Sequence, residues 1–484
     1  MSAAPRNAWL DAGDPIRAER NARLLFRFAV AAVVGACTYY GVTAKTADPL
    51  HLYEGLLMLV LAAIPAIRWA RNGGQQLPIF EVFMLTTANT YALPLLNGHE
   101  SLRMYPPELI SSAGFTVLLF QVVCILTFYG VRGRPGRTPF YTDEVLGGDL
   151  TRFVGLGLTL TTIYTFVSIY TDLIPQELAS IFRAVFYGIG LVSIFVLSRQ
   201  AGVGLLKPQE RAWFIFNMVS QVTMMFSTLF LVGGVSWLVL ALLGYVSGSR
   251  RIPFVTLGIC VAVLAILHNG KSGMRAEYWR ADGFRKQAEF VELPSFFTKW
   301  VEYGVTTVPG NDPDEEQQLA AKLLDRTSLF HLLCLVQAQT PDWKPFLNGE
   351  TYWGIPAQFV PRILWPDKPL AHAATSTMSV YYGLQRIEDT ATTTIGFGML
   401  IESYVNFGMF GVAGFAAFFG FFYKQVHSRC ANSPMLSFAG LFTVVLMAWS
   451  FQTEAPLGMW LSSMFQACVA VMGVPFLLRN LFGR

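Results

Sequence analysis

The feature that most constrains this chain is a series of apolar stretches, each about as long as a bilayer is thick. About 20 apolar residues in a helix cross the roughly 30 Å of membrane hydrocarbon, and twelve such stretches occur within the 484 residues. Because backbone groups in lipid must bond to one another, each stretch is predicted to be an α-helix. The fold class is therefore predicted to be an all-α polytopic membrane protein with about 12 transmembrane helices. The predicted spans are residues 24–44, 53–69, 78–96, 109–131, 152–171, 178–198, 212–231, 233–248, 252–268, 406–425, 434–452 and 457–478.

The distribution of basic residues predicts the orientation of these spans. Lys and Arg near span ends are retained on the cytoplasmic side. With both termini cytoplasmic, the inner segments hold twenty Lys and Arg residues, whereas the short outer loops hold only Lys45 and Arg103. The net charge of +4 is then explained by topology, and no nucleic-acid partner is predicted.

The spans divide the chain into four predicted parts. Residues 1–23 form a basic cytoplasmic N-terminus, and residues 24–268 form a bundle of about nine spans. Residues 269–393 form one large loop on the outer face, and residues 394–484 form a bundle of about three spans. Connections of such length are uncommon unless they are functional. The loop is therefore predicted to carry the chemistry.

The sequence of the large loop predicts a long amphipathic helix. "NDPDEEQQLAAKLLDRTSLFHLLCLVQ", residues 311–337, begins with an Asn/Asp cap and acidic residues, and continues with apolar residues at helical spacing. Arg326 lies on the apolar stripe, where a charge needs a partner. That partner is either a loop carboxylate or an anion at the membrane surface. His331, on the other side of the helix, is either a packed side chain or a proton-transfer group.

Three further cations lie near the predicted outer surface. Lys271 and Arg275 follow the ninth span, where polar side chains are commonly interfacial anchors. Arg183 lies about one and a half turns inside the sixth span. Intramembrane arginines are costly and often functional, although a shallow one can extend its side chain to the interface.

Two further stretches combine polar and rigid residues on the outer side. "GMLIESYVNFGMFG" places Glu402 and Asn406 on one helix face beside Tyr404. Glu402 is either a packing partner or a base in a cavity. "VPRILWPDKP", residues 360–369, has three prolines that fix the backbone around Arg362, Trp365 and Lys368. It is either an anion-binding segment or a rigid turn with an internal ion pair.

The sequence has no phosphate-binding glycine loop, no nucleophile elbow and no Cys/His spacing typical of zinc. Of the six cysteines, only Cys334 falls in an outer segment, so no outer disulfide framework is predicted. Neither a metal nor a cofactor is predicted.

The segments "DRTSLFHLL", "GETYWGIPAQFVPRILWPDKP" and "ESYVNFGMFG", placed around a large late loop, resemble the Wzy-type O-antigen polymerase family over residues 270–425. The resemblance implies a GT-C-like fold in the bacterial inner membrane, with the large loop in the periplasm. It implies polymerisation of undecaprenyl-diphosphate-linked oligosaccharide repeat units without a metal or cofactor. Membrane lipid, a chain-length regulator and a flippase are the implied partners. Some members show an arginine followed eleven residues later by a glycine in external loops, a spacing that Arg103 and Gly114 fit.

The implied reaction assigns roles to the candidate residues. Transfer from a lipid diphosphate requires cations that stabilise the leaving diphosphate and a group that removes a proton from the acceptor hydroxyl. The candidate catalytic residues are Glu402, Arg326 and His331. The candidate substrate-binding residues are Arg183, Lys271, Arg275, Arg362, Lys368, Trp365, Tyr404 and Asn406.

Two alternatives remain open. An O-antigen ligase-like transferase would use the same donor and a similar topology. A transporter or flippase of lipid-linked glycans belongs to a different class, in which internal repeats and broken helices are expected.

Overall fold

The structure is a computed structural model. It describes residues 15–46, 48–74, 76–134, 150–171, 173–174, 176–278, 288–306, 328–360, 364–365, 367–391, 394–431, 433 and 437–473. The described part is helical and contains no strand.

A helix lies in every segment for which a span is predicted. The first helices are α1 (Pro15–Thr43), α2 (Pro49–Arg71), α3 (Ile79–Thr87), α4 (Leu93–Leu96), α5 (Pro107–Gly130), α6 (Leu150–Tyr170), α7 (Gln176–Val203), α8 (Pro208–Ser227), α9 (Leu231–Ser249) and α10 (Phe254–Asn269). The others are α11 (Lys271–Tyr278), α12 (Leu293–Thr306), α13 (Leu329–Gln339), α14 (Ile355–Gln358), α15 (Ala373–Tyr381), α16 (Gly398–Arg429), α17 (Phe438–Ser450) and α18 (Leu457–Cys468).

By length and composition, six helices of the described part are able to cross a membrane. They are Glu19–Thr43, Pro49–Arg71, Ile79–Leu96, Pro107–Gly130, Val185–Val203 and Gly398–Arg429. The other six predicted spans correspond to helices that are shorter or less apolar. The protein is thus a helical membrane protein in class, and the count of twelve spans stays a prediction.

The chain forms two compact units. Among the described residues, the first contains those from 22 to 134 and from 328 to 466, and the second contains those from 15 to 21, from 150 to 306 and from 467 to 473. The large loop is shared between them, because α11 and α12 belong to the second unit and α13 to α15 belong to the first.

In the first unit, an aromatic core joins α3, α5 and α16. The ring of Phe83 stacks on Phe419 at 5.3 Å, and the ring of Phe80 stacks on Phe128 at 3.9 Å. Below them the buried Gln121 amide donates to the Thr87 hydroxyl at 2.7 Å. In a membrane such polar contacts satisfy groups that lipid cannot.

In the second unit, small residues allow the helices to pack closely. Gly244 of α9 lies where a Cβ would be 2.6 Å from the carbonyl oxygen of Phe195 in α7. The close approach of backbones at Gly244 is typical of helix pairs in membranes. α10 and α12 are joined differently, by the indole of Trp300, which donates to the carbonyl of Leu267 at 2.7 Å.

The helix that contains His331 differs from its prediction. α13 begins at Leu329, and the Ser328 hydroxyl caps it by accepting from the His331 N–H at 3.1 Å. Ser328 has extended backbone angles, so the helix begins at Leu329 and does not run unbroken over the predicted residues 311–337. Residues 311–327 of that prediction lie outside the described residues. The residues from Leu329 to Cys334 are all buried, so α13 is a core helix without a solvent face.

Candidate functional site

Two loops of the first unit are locked together at the ends of α1 and α4. The Lys45 N–H donates to the Leu96 carbonyl at 3.1 Å. Gly98 has φ +61°, and a Cβ there would overlap the Lys45 carbonyl. Glycine is therefore required at this close approach. The two loops form a fixed wall.

This wall borders a cavity of about 520 Å³. Its lining brings Lys45 and Arg103 together, although 58 positions separate them in the sequence. The carboxylate of Asp48 also lies here, but it accepts the Leu50 N–H at 2.8 Å and so caps α2. The remaining lining residues are Thr46, Pro49, His51, Leu95, Gly98, His99, Leu102, Tyr105, Pro107 and Ile110.

His331 of α13 packs against residues that line the cavity. Its ring lies 6.3 Å from the His99 ring, nearly parallel, and 5.6 Å from the Tyr105 ring. His51, another lining residue, donates from its ring Nε2 to the Pro107 carbonyl at 3.1 Å. The cavity thus combines cations suited to an anion with imidazoles suited to proton transfer.

Glu402 is fully buried in the first part of α16. Its Oε2 accepts the Leu457 N–H at 2.6 Å. Leu457 is the first residue of α18, where free N–H groups and the helix dipole favour a carboxylate. Within the described part, Oε1 has no hydrogen-bond partner of ordinary geometry. These contacts describe a helix cap, and the role of Glu402 as a base stays a prediction.

Asn406 connects α16 to the chain around residue 350. Its amide donates to the Glu402 carbonyl at 2.7 Å and to the Thr351 hydroxyl at 2.8 Å. Its side-chain oxygen accepts the Gly349 N–H at 2.9 Å. Every polar atom of the Asn406 side chain is therefore used within the protein.

α16 is broken immediately after this point. Gly408 has φ +60° and ψ −148°, which are not helical. The Leu347 N–H donates to the Val405 carbonyl at 3.0 Å, and the Asn348 N–H donates to the Asn406 carbonyl at 3.2 Å. The loop residues 347 and 348 thus provide hydrogen bonds to two carbonyls near the break. Lipid could not provide such bonds.

The remaining candidates of the first unit have different surroundings. Tyr404 is buried, with its ring 6.2 Å from Phe346. Lys368 is also buried, and its ammonium donates to the Val360 carbonyl at 2.6 Å. Trp365 is exposed. Arg326 and Arg362 lie outside the described residues.

The second unit has its own cation-lined cavity. Arg183 of α7, whose side chain is exposed, lines a cavity of about 710 Å³ that also includes Phe230. Arg275 donates to the Leu229 carbonyl at 3.0 Å and lies 5.5 Å from the Phe230 ring. Burial, followed by the charge of Arg275, holds the pKa of Lys271 below its usual value. The predicted cations Arg183 and Arg275 therefore adjoin the same cavity.

The sequence indicated some of these residues but not their association. Lys45 and Arg103 are recognisable in the sequence as the two cations of the short loops predicted to be outer, but that pattern indicates only topology. No pattern in the sequence indicates His99 as a candidate site residue. Gly114 lies inside α5 against the Glu54 carboxylate, so the Arg103–Gly114 spacing does not fall within one loop. Among the described residues, no group of three or more His, Cys, Asp or Glu is placed to hold a metal.

The six long apolar helices of the described part define the chain as a helical membrane protein. By sequence it belongs to the family described as domain of unknown function DUF8712, which matches residues 209–452, about half of the chain. The match includes the whole of the large loop and the part of α16 that contains Glu402 and Gly408. No curated protein and no solved structure matches the chain.

Proposed function

We propose that the protein is a membrane-embedded glycosyltransferase that polymerises undecaprenyl-diphosphate-linked oligosaccharide repeat units into a surface polysaccharide. In this proposal twelve spans of a GT-C-like fold cross the bacterial inner membrane, and the large loop is periplasmic. The resemblance of residues 270–425 to Wzy-type polymerases is the source of the substrate class.

One observation carries the proposal at the level of the site. The only two cations of the short outer loops, Lys45 and Arg103, line the same cavity as His99, whose ring stacks on His331. A lipid diphosphate carries several negative charges close to the membrane surface. Lys and Arg side chains are the groups that bind phosphate oxygens, and Arg can do so with two parallel hydrogen bonds.

The chemistry can then be assigned to groups of the first unit. The bond between the donor sugar C1 and the diphosphate oxygen breaks, and C1 bonds to the acceptor hydroxyl oxygen. The electron pair leaves with the diphosphate, whose charge is stabilised by Lys45 and Arg103. The hydroxyl proton passes to an imidazole, for which His99 at the cavity wall is the first choice and His331 behind it is the second.

Two alternatives have different support. An O-antigen ligase-like transferase would use the same cations, and no contact favours it over the polymerase. A lipid-linked glycan transporter is favoured by the break in α16 at Gly408, because discontinuous helices are common in transporters. In this chain the N–H groups of Leu347 and Asn348 bond to carbonyls next to the break. Because the break is thus held by the protein itself, the polymerase is our first choice.

A gene deletion separates the three functions. The surface glycan of the deletion strain is separated on a gel. Loss of a polymerase leaves single-repeat products on the core, whereas loss of a ligase leaves bare core with polymer still on its carrier. Loss of a flippase leaves neither product. Either of the last two patterns would overturn the proposal.

The cavity is tested by complementing the deletion with Lys45→Ala, Arg103→Ala and His99→Ala. Arg211→Ala is the matched control, since this arginine is exposed on α8 and lines neither cavity. We expect shortened chains with the first three variants and normal chains with the control, at equal protein levels in the membrane. Glycan chains of normal length with all four variants would show that this cavity has no part in the mechanism.

A further inference from the structure

The cavity of about 710 Å³ in the second unit has a wall that is rich in hydroxyl groups. Its volume falls within the range of about 300–1,000 Å³ that is usual for ligand sites. The wall is formed by α6, α7, α8 and α9, together with the residues that follow α6 and α8. All of its residues belong to the second unit, and five of them are Ser or Thr: Thr161, Thr165, Ser168, Thr171 and Thr228.

The Ser and Thr hydroxyl groups of this wall have their protons engaged by the backbone. Thr165 donates to the Thr161 carbonyl at 2.9 Å, and Ser168 donates to the Thr165 carbonyl at 3.1 Å. Thr228 donates to the Met225 carbonyl at 2.7 Å. A hydroxyl has one proton and two lone pairs, so these side chains remain able to accept but not to donate. The wall therefore suits a ligand that brings its own hydrogen-bond donors.

Gln221 of α8 adds an acceptor that has no partner within the described part of the chain. Its side chain lines the cavity and is fully buried. The Nε2 atom donates to the Thr165 hydroxyl at 2.7 Å, which fixes the orientation of the amide. The Oε1 atom makes no hydrogen bond with any described residue. Leaving a buried acceptor unsatisfied is costly, so a hydrogen-bond donor in the cavity would be bound favourably here.

Arg183 of α7 is the one positively charged group among the described residues that line this cavity, and its side chain is exposed. It lies about one helical turn from the hydroxyl-rich wall, because Thr161 donates to the carbonyl of Phe186, three residues further along α7, at 2.9 Å. A free cation is disfavoured by this arginine, and an acyl chain would leave the Gln221 oxygen unsatisfied. A phosphate with a sugar attached supplies both an anion for Arg183 and hydroxyl donors for the wall.

We propose that this cavity binds the sugar that is joined to the diphosphate of a lipid-linked glycan, and that Gln221 recognises one of its hydroxyl groups. The sugar hydroxyl donates to Gln221 Oε1, while the Arg183 guanidinium donates to the phosphate oxygens. The site is distinct from the cavity of the first unit that Lys45 and Arg103 line. The inference rests on the lipid-linked glycan of the proposed function, a substrate that the polymerase, the ligase-like transferase and the transporter have in common.

The site is tested with two ligands that differ in the presence of the glycan. The first is the undecaprenyl-diphosphate-linked glycan extracted from membranes of the host, and the second is undecaprenyl diphosphate without a sugar. Binding of each is measured by titration calorimetry in detergent. The background protein is Lys45→Ala/Arg103→Ala, so that the cavity of the first unit does not contribute. Gln221→Met removes the amide, and Asn217→Leu is the matched control, because Asn217 is a second buried amide on α8 that does not line the cavity.

We expect the background protein to bind the glycan-bearing ligand more tightly than the bare diphosphate. Gln221→Met should weaken binding of the glycan-bearing ligand by about tenfold, the effect of one hydrogen bond, and should leave binding of the bare diphosphate unchanged. Equal affinity of the background protein for the two ligands would overturn the proposal. An unchanged affinity in Gln221→Met, an equal loss for both ligands, or the same selective loss in Asn217→Leu would also overturn it.

This proposal and the proposed polymerisation can fail independently. A deletion strain with the gel pattern of a ligase or of a flippase would overturn the polymerase and leave this site in place, because those proteins also bind a lipid-linked glycan. Single-repeat products on the gel, together with equal affinity for the two ligands, would support the polymerase and remove this site.

Discussion

The Glu402 carboxylate accepts the Leu457 N–H at 2.6 Å, and this bond joins the start of α18 to the part of α16 that precedes its break. The carboxylate is fully buried. Its donor is the N–H of the first residue of α18, which has no acceptor within its own helix. Two helices that enter the bundle from the same end are therefore positioned by one side chain.

This contact predicts different results for two Glu402 variants. Glu402→Ala removes the acceptor and is expected to lower the stability by about 0.5–2 kcal/mol, the usual cost of a lost helix cap. Glu402→Gln keeps an acceptor oxygen and should retain most of both stability and chain growth. The measurements are thermal unfolding in lipid nanodiscs and glycan length in the complemented deletion strain. Loss of chain growth with Glu402→Gln at unchanged stability would establish the base role instead.

The break in α16 predicts that position 408 requires glycine. Its φ of +60° and ψ of −148° are strained for residues with a Cβ, at a cost of about 1–3 kcal/mol. A Cβ would also lie 3.0 Å from the Phe346 ring. Gly408→Ala should therefore unfold at a lower temperature than the unsubstituted protein. Gly414→Ala on the same helix is the control, because a Cβ there meets nothing within 4 Å. Equal losses in both variants would contradict this explanation.

Arg183 is predicted to bind an anion in the cavity of the second unit. Arg183→Ala should weaken binding of a short-chain polyprenyl diphosphate to this second cavity by about 10- to 100-fold, since hydrogen bonds to charged groups contribute about 1.5–3 kcal/mol. Arg183→Lys should recover part of this, because it keeps the charge but loses the planar fork. The background protein is Lys45→Ala/Arg103→Ala, in which the proposed diphosphate site of the first unit is removed. Binding is measured by titration calorimetry in detergent, with Arg211→Ala as control. Unchanged affinity in Arg183→Ala would exclude this role.

Lys271 is predicted to make stability depend on pH. Burial and the charge of Arg275 depress its pKa below the usual 10.5, so the folded state binds this proton more weakly than the unfolded state. Folding is therefore opposed below the depressed pKa, and stability should rise as the pH increases from there to 10.5. Lys271→Met should remove this rise when unfolding is followed at several alkaline pH values. Parallel profiles for both proteins would contradict the assignment.

Lys368 is predicted to stabilise the backbone at the end of α14 rather than to bind substrate. Lys368→Met leaves the Val360 and Gln358 carbonyls without this donor, and an unsatisfied buried acceptor costs about 1–3 kcal/mol. The control is Lys299→Met, which removes an exposed ion pair with Glu277 and should change stability less. The two variants are compared by their thermal unfolding temperatures in lipid nanodiscs. If Lys368→Met left stability unchanged but abolished chain growth, the substrate role would be restored.

Local patterns in the sequence were sufficient for the helices but not for their irregularities. Each apolar stretch identified a helix, because hydrophobicity and length act within one segment. The break at Gly408 was not predicted, since glycine occurs in intact membrane helices too. It becomes evident only when Leu347 and Asn348 are seen bonded to the carbonyls of Val405 and Asn406. The start of α13 at Leu329 was likewise not predicted, because the helical spacing of the apolar residues Leu323 and Phe330 continues across Ser328.

For the site, the sequence selected side chains by type, and the structure showed what surrounds them. Arg183, Arg275 and His331 were predicted and adjoin cavities or their lining residues. Glu402 and Lys368 were predicted as reactive or substrate-binding groups, and the structure shows both buried and bonded to backbone groups. A charged residue among apolar neighbours indicates that a partner exists, but it does not identify that partner.

By itself, the sequence determined that this protein is helical and belongs in a membrane, because these properties follow from the composition and length of single segments. It also identified Lys45 and Arg103 as the two cations of the short loops that are predicted to lie on the outer side. Only the tertiary structure decided that these two line one cavity with His99, and that Glu402 caps a helix 55 residues further along the chain. The physical reason is that such contacts depend on packing between distant segments, which local hydrophobicity and spacing do not specify.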